Sequence, residues 1–279
     1  MRDASDTTAI GNYWGRDGLG QAILDALAAS GKNLDRLSID DLAPMDQLHG
    51  GGKGTTVRLA RLAELSTGTR VLDVGGGLGG PARTLAVEFD CQVTVVDLTE
   101  SYVRAAQMLT AQLGLGDRVT HHVGNALDLP FDDGTFDVVW TQNSGMNIAD
   151  KPRLYAGFHR VLRPGGVLAL QEPMAGPVQP PIFPVMWAHD MATSFLHPPE
   201  EMCLLIEVAG FRAHLWDDIT AETVGPGPGA AVPVHSIQSL VMGDALAAIT
   251  RTGRRNREEG RIVMVQAVFD RPSRLDDPR

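Results

Sequence analysis

Residues 71–80 read VLDVGGGLGG, and Asp97 closes the next apolar run, CQVTVVD. An apolar strand here runs into a turn with almost no side chains, and a helix follows. Glycine lets backbone N–H groups approach a ligand where a Cβ would stand in the way. A carboxylate ending the second strand suits the two hydroxyls of a ribose. Gly75, Gly76 and Gly77, with Asp97 and its neighbour Leu98, therefore form a candidate cradle for a nucleoside-containing cofactor.

Two cofactors compete for that cradle. Gly75-x-Gly77-x-x-Gly80 fits the dinucleotide fingerprint, with Asp97 near the expected distance. Asp73 changes the balance, because a carboxylate two residues before the first glycine faces the bound ligand. It would repel a pyrophosphate. It would attract the cationic methionine end of S-adenosylmethionine and accept hydrogen bonds from its ammonium. No second half able to hold a nicotinamide is readable, so an NAD-dependent oxidoreductase ranks last.

The signals downstream agree with the sulfonium cofactor. Gly124-Asn125-Ala126 follows a third apolar run, RVTHHV, and the carboxamide of Asn125 can meet an adenine edge beside Ala126. LPFDDGTFDVVW (129–140) gives a turn and a fourth strand, and LRPGG (162–166) precedes the run VLALQE. In this order the marks resemble the class I S-adenosylmethionine-dependent methyltransferases over residues 71–170. The resemblance implies that the glycine turn holds the methionine part and that Asp97 holds the ribose. It also implies that Asn125 and Ala126 flank the adenine and that S-adenosylhomocysteine is the product. MDQLHGGG (45–52), GLGGPAR (77–83), TQNSGMNIADK (141–151) and FPVMWA (183–188) narrow the likeness. They are similar to the small-molecule sarcosine/dimethylglycine and tocopherol methyltransferases, and to terpenoid-indole C-methyltransferases of natural-product pathways. The likeness covers roughly residues 12–220 and identifies the cofactor better than the substrate.

One departure from that family matters. Where many relatives are expected to carry histidine after strand four, this chain has Asn143, and asparagine cannot act as a general base near neutral pH. The segment lies at the carboxyl edge of the sheet, so Gln142, Asn143 and Met146 can line the pocket. Met146 equally suits core packing, and Asn147 suits a helix cap. His49, in a glycine-rich segment crossing the site, is the first choice for a base or a substrate-orienting donor. A structural hydrogen bond fixing its loop is the competing role. Gln47 can contact the methionine end or the backbone. Tyr13 and Trp14 either staple a cap onto the domain or shut the pocket from water. Trp187 can stack on a flat substrate or face a cation. No metal-ligand spacing, nucleophile elbow or triad is readable.

The elements that must position these residues follow from the pattern. From 71 to 170 strands and helices alternate, which predicts parallel βαβ units with helices at 83–89, 101–113 and 151–162. Residues 17–31 read as a helix stopped at Gly31, and EEMCLLIEVAGF as a helix ending at Gly210. GPGPG (225–229) is a flexible joint, and HSIQSLVMGDALAAITRT (235–252) reads as one amphipathic helix. RIVMVQAVF (261–269) is the last strand, which the resemblance places antiparallel beside strand five. The expected fold is α/β: a Rossmann-like, seven-stranded, mostly parallel sheet with helices on both faces and a helical and loop cap. Residues 1–55 are expected to form that cap, with insertions at about 173–200 and 221–255, on a cofactor-binding domain of 56–279.

Composition bounds the partners. With 279 residues and 43% hydrophobic side chains, the chain supports a sizeable core. A net charge of −10 argues against a nucleic-acid substrate. No apolar run approaches a membrane span, no signal peptide is readable, and Cys91 and Cys203 fall in predicted core elements, all of which fit a cytoplasmic protein. The N-terminal segment can pack on its own subunit or on a neighbour's in a homo-oligomer. The expectation is methyl transfer to a small, largely apolar or aromatic molecule. Transfer to carbon or nitrogen is favoured over oxygen, because Asn143 supplies no base. The alternative is a methyltransferase-like cyclase, or a cofactor-binding protein without transfer.

Overall fold

The computed structural model describes residues 8–11, 13–223 and 236–273; the GPGPG joint and His235 lie outside the described residues. Its centre is a seven-stranded sheet of order β3-β2-β1-β4-β5-β7-β6. The strands are β1 (Arg70–Val74), β2 (Gln92–Asp97), β3 (Val119–Val123), β4 (Phe136–Gln142), β5 (Leu162–Ala175), β6 (Arg212–Asp218) and β7 (Ile262–Asp270). Strands β1 to β5 are parallel, and β7 runs antiparallel between β5 and β6. The last strand thus inserts where the resemblance placed it.

Period-two alternation divides the strand side chains between two cores. Leu72, Val74, Val139, Leu168 and Phe269 face one side, against Leu154, Phe158 and Ile206 of the helices Lys151–Val161 and Pro199–Val208. Val71, Val93, Val95, Trp140, Ala169 and Val268 face the other, against Leu59, Ala82 and Leu85 of the helices Gly52–Leu62 and Gly80–Glu88. In chain order the helices are α1 (Leu19–Ala29), α2 (Ile39–Asp46), α3 (Gly52–Leu62), α4 (Gly80–Glu88), α5 (Glu100–Gln112), α6 (Lys151–Val161), α7 (Pro199–Val208), α8 (Ile237–Met242) and α9 (Leu246–Glu258). The apolar stripe of α1 (Leu19, Ile23, Leu27) shares a third cluster with Leu42 and Met45 of α2, Tyr102 and Leu109 of α5, and Ile237 and Val241 of α8.

Two expectations change. The single helix expected over 235–252 is two, α8 and α9, because Gly243 takes φ 50 and ψ −131, a conformation no helix continues through. The second continues to Glu258, so Arg251, Arg254, Arg255 and Arg257 lie within it. Strand β5 starts at Leu162 rather than after the LRPGG turn, with a register irregularity against β4 between Phe136 and Val138 absorbing the extra residues. No described helix is long and apolar enough to cross a membrane. Cys91 and Cys203 are free, and burial pushes the Cys91 thiol up to about 11.

Candidate active site

The carboxyl ends of β1, β2 and β4 open onto a cavity of about 500 Å³. Its walls include Asp73, Gly75, Gly76, Gly77, Asp97, Leu98, Asn125, Ala126, Gln142, Asn143 and His49, so eleven sequence-selected residues converge on one space. The remaining three stand outside that lining. The Tyr13 hydroxyl turns to the carbonyls of Val185 and Met186, at 3.3 and 3.1 Å. Met146 and Trp187 pack into an apolar cluster with Val185, Ala188 and Ile262. The indole N–H of Trp187 donates to Ser194 Oγ at 2.9 Å. The neighbour Trp14 does line the cavity, as does Ile10.

The glycine turn is enforced by space as well as by dihedral. Gly75 has φ 73, and a Cβ there would lie 2.0 Å from Ser144 Oγ; at Gly76 it would lie 2.5 Å from Val95 and 2.7 Å from Asp73 Oδ2. Asp97 braces the turn: one carboxylate oxygen accepts the Gly77 N–H at 2.9 Å and the other the Thr99 N–H at 2.8 Å. Asp73 is buried and its Oδ2 meets no partner in the protein. Burial and the nearby Asp97 push its carboxyl up to about 8. An unpartnered carboxylate oxygen beside a side-chain-free turn fits a cationic ligand end. Asn125 accepts the Leu127 N–H at 2.9 Å, so its carboxamide is already oriented by its own loop.

The β4–α6 loop forms the opposite wall. Asn143 sits at φ 52 with its N–H donated to the Gln171 carbonyl, and its Oδ1 is buried without a partner. Asn147 does not cap a helix. Its amide donates to the carbonyls of Trp187 (3.0 Å) and Thr193 (2.7 Å), while its Oδ1 accepts from the Trp14 indole at 3.4 Å. It thereby ties the proline-rich loop and the N-terminal segment to the cavity wall. Two buried charges hold this loop from behind. Glu172 Oε1 accepts the N–H groups of Ser144 and Gly145, and Lys151 donates to the carbonyls of Gly145, Ile148 and Phe195. Desolvation lowers the Lys151 ammonium to about 8.

His49 is held on both sides of its ring. Nε2 lies 2.8 Å from Gln47 Oε1 and 3.1 Å from Thr56 Oγ1, and Nδ1 lies 3.4 Å from Gln171 Nε2. Burial pulls its pKa down to about 4, so the ring is neutral at pH 7. Gln47 bonds to this histidine, to Thr56 and to Thr84. Beneath the turn, the buried Arg83 donates to Asp46 Oδ2 (2.8 Å) and to the Leu78 carbonyl (2.6 Å). Among the described residues no cluster of side chains could hold a metal ion. Sequence reasoning missed Gln171, Gln266, Thr56, Glu172 and Lys151. The legible signal was a single glutamine in each of three apolar strands (VVWTQ, LALQ, VMVQAV), since a buried amide needs partners.

Residues 71–166 match the methyltransferase domain family. That stretch, about a third of the chain, is similar to a methyltransferase domain. The glycine/sarcosine/dimethylglycine N-methyltransferase of Actinopolyspora halophila is 36% identical over 132 residues, 47% of this chain and 23% of that protein. Methyltransferase GfsG of Streptomyces halstedii is 28% identical over 208 residues, 73% of this chain and 74% of that one. Among solved structures, a geranyl diphosphate methyltransferase in complex with GPP and sinefungin has TM-score 0.72 at 19% identity, covering 96% of this chain and 99% of that chain. That likeness shows the fold. The chain spans less than a quarter of the length of the Actinopolyspora relative.

Proposed function

We propose that the protein transfers a methyl group from S-adenosylmethionine to a small, largely apolar acceptor, at carbon or nitrogen rather than at an unactivated hydroxyl, and releases S-adenosylhomocysteine. The observation that carries this reading is Asp73: a buried carboxylate with an unpartnered oxygen, beside a glycine turn braced by Asp97. Asp73 would hold the ammonium, Gly75 to Gly77 the methionine chain, Asp97 the ribose, and Asn125 with Ala126 the adenine. When bound, this cofactor supplies a methyl carbon whose bond to sulfur breaks as the acceptor's electron pair forms the new bond, the sulfur keeping its pair.

The chain's own residues align and enclose. Asp97, Asp150 and Asp73, which ionises as an ammonium binds, line the cavity, Asp46 being paired with Arg83; Arg153 is the one lining arginine or lysine among the described residues. Such a wall favours a sulfonium and disfavours a phosphorylated acceptor. Ile10, Trp14, Leu48 and Ile148 give the acceptor side an apolar surface that excludes water. In this reading residues 1–55, with parts of 173–200 and 221–255, form the cap, and Asn147 joins its pieces. Tyr13, Met146 and Trp187 would then act on substrate through the cap they pack, not by contact. Specialised metabolism is the setting that the family resemblance implies for such an acceptor.

The test is incubation of purified protein and S-adenosylmethionine with aromatic, terpenoid and amine acceptors, read by mass spectrometry. A methylated carbon or nitrogen product with S-adenosylhomocysteine is the expected outcome. Methylation of simple hydroxyls alone, abolished in His49→Ala, would overturn the acceptor assignment. A rearranged but unmethylated product would replace it with cyclisation.

A further inference from the structure

Strands β4, β5 and β7 place Gln142, Gln171 and Gln266 in one register row across the sheet. All three are buried, on the face covered by α3. We infer that this glutamine ladder is a positioning device that locks His49 in one neutral tautomer, proton on Nε2 and Nδ1 bare, so that the ring presents an uncharged wall to the cavity and does not act as a base. The inference deepens the methyltransferase reading of the same cavity, but its test needs no cofactor.

The assignment follows from groups that can only donate. At the far end of the row stands Arg58, paired with Asp217, and its guanidinium has no acceptor. Gln266 must therefore turn Oε1 to Arg58. Its amide nitrogen then donates to the Thr55 carbonyl at 2.8 Å and to Gln171 Oε1 at 2.9 Å. At the other end the Trp140 indole, also a donor only, fixes Gln142 Oε1 at 3.0 Å, and Gln142 donates to the same Gln171 oxygen at 3.3 Å. Both orders leave Gln171 with its NH2 toward Gly50 O, at 3.0 Å, and His49 Nδ1, at 3.4 Å. The Gly50 carbonyl also lies 3.3 Å from Nδ1, but it already accepts from Gln171 and from Thr55 Oγ1 at 3.0 Å each, so Nδ1 presents its lone pair to the Gln171 NH2.

The opposite ring nitrogen gives the same answer independently. The Thr84 hydroxyl donates to the Gly80 carbonyl, so it accepts from Gln47 Nε2, which turns Gln47 Oε1 toward His49. At 2.8 Å from that oxygen, Nε2 must carry the proton. The other tautomer would set the Nε2 lone pair against Gln47 Oε1 at 2.8 Å and press Nδ1–H toward the Gln171 NH2, with only the already doubly bonded Gly50 carbonyl at 3.3 Å to accept it. His49's partners are all uncharged, and the wall carboxyl groups of Asp46 and Asp73 make no hydrogen bond to it. Taking a proton from an acceptor would break the ladder. The methyl acceptor must therefore be a nucleophile that attacks without prior deprotonation by His49.

Long-range 1H–15N correlation spectra of the full chain labelled with 15N-histidine test this at pH 7, the His49 signals being assigned by their loss in His49→Gln. A single neutral Nε2–H tautomer is expected. A protonated Nδ1, a tautomer mixture or an imidazolium would overturn the assignment. In Gln171→Met the ladder donor is gone and Nδ1–H can donate to Gly50 O, so a mixture of tautomers should appear. An unchanged pure Nε2–H signal there would remove Gln171 from the role. Spectra as expected with no S-adenosylhomocysteine binding would sink the cofactor reading and leave the ladder standing.

Discussion

Asp73 and Asp97 divide the work of one carboxylate pair by what surrounds each. Asp97 spends both oxygens on backbone N–H groups and so arrives already oriented; Asp73 has an oxygen with nothing to accept from. Asp97→Ala should weaken S-adenosylhomocysteine binding by roughly 1.5–3 kcal/mol, the scale of a hydrogen bond to a charged group, read by titration calorimetry. Unchanged affinity would remove Asp97 from the ribose. Asp73 makes a different prediction. With its carboxyl pushed up to about 8 by burial and by Asp97, it is largely protonated in the empty site at pH 7. A ligand ammonium needs the ionised form, so binding should release a proton, and the dissociation constant should rise about tenfold for each pH unit below 8. Calorimetry in buffers of differing ionisation enthalpy measures that release. Equal affinity at pH 6 and pH 8, with no proton released, would place the ammonium elsewhere.

Elements explain which parts of this site a sequence can announce. The glycine turn, Asp97 and the last strand were legible because each rests on local pattern: turn chemistry between apolar runs, or alternation within one strand. The glutamine ladder was not, since it exists only once register brings Gln142, Gln171 and Gln266 side by side, and register is a long-range property. The same holds for Met146, which packs with Val185 and Ile262, and for Trp187, which packs with Met146 and Ile262, all pairs distant in sequence. The break at Gly243 was missed because an isolated glycine is tolerated inside a helical pattern. The β4–α6 loop offers two tests of element over residue. Gly75→Ala would press a Cβ to within 2.0 Å of Ser144 Oγ and needs φ 73, so ligand binding should fall more than about tenfold while circular dichroism stays native. Lys151→Met would strip a donor from three loop carbonyls and should lower stability by about 2 kcal/mol in urea unfolding. A stability loss indistinguishable from zero would show that the loop holds its path without the buried ammonium.

At the scale of the whole molecule, the site is a place where folding works against itself so that a ligand can relieve it. Asp73 ionises with an ordinary value of 3.8 in the unfolded chain and about 8 in the folded one. Between those values the folded protein holds the extra proton. Stability of the empty protein therefore falls as pH rises through that window, by about 1.4 kcal/mol per unit from this residue alone. His49 and His121, both pulled down to about 4 by burial, act with the opposite sign: between pH 4 and 6.5 the unfolded chain holds their protons, and stability rises with pH. Above pH 6.5 the histidines no longer contribute, and the Asp73 decline stands alone among these three groups. Asp73→Asn should thus be more stable than the wild type when empty, by a margin that widens from pH 6.5 to pH 8. S-adenosylhomocysteine should narrow that margin. At a hundred times its dissociation constant it adds about 2.7 kcal/mol to the wild type, or about 5 °C in Tm for a chain of this size, and far less to the variant that cannot hold the ammonium. Thermal scans of both proteins at pH 6.5 and 8, with and without ligand, read all four terms. A variant less stable than the wild type at every pH would mean that Asp73 serves the fold and not the ligand.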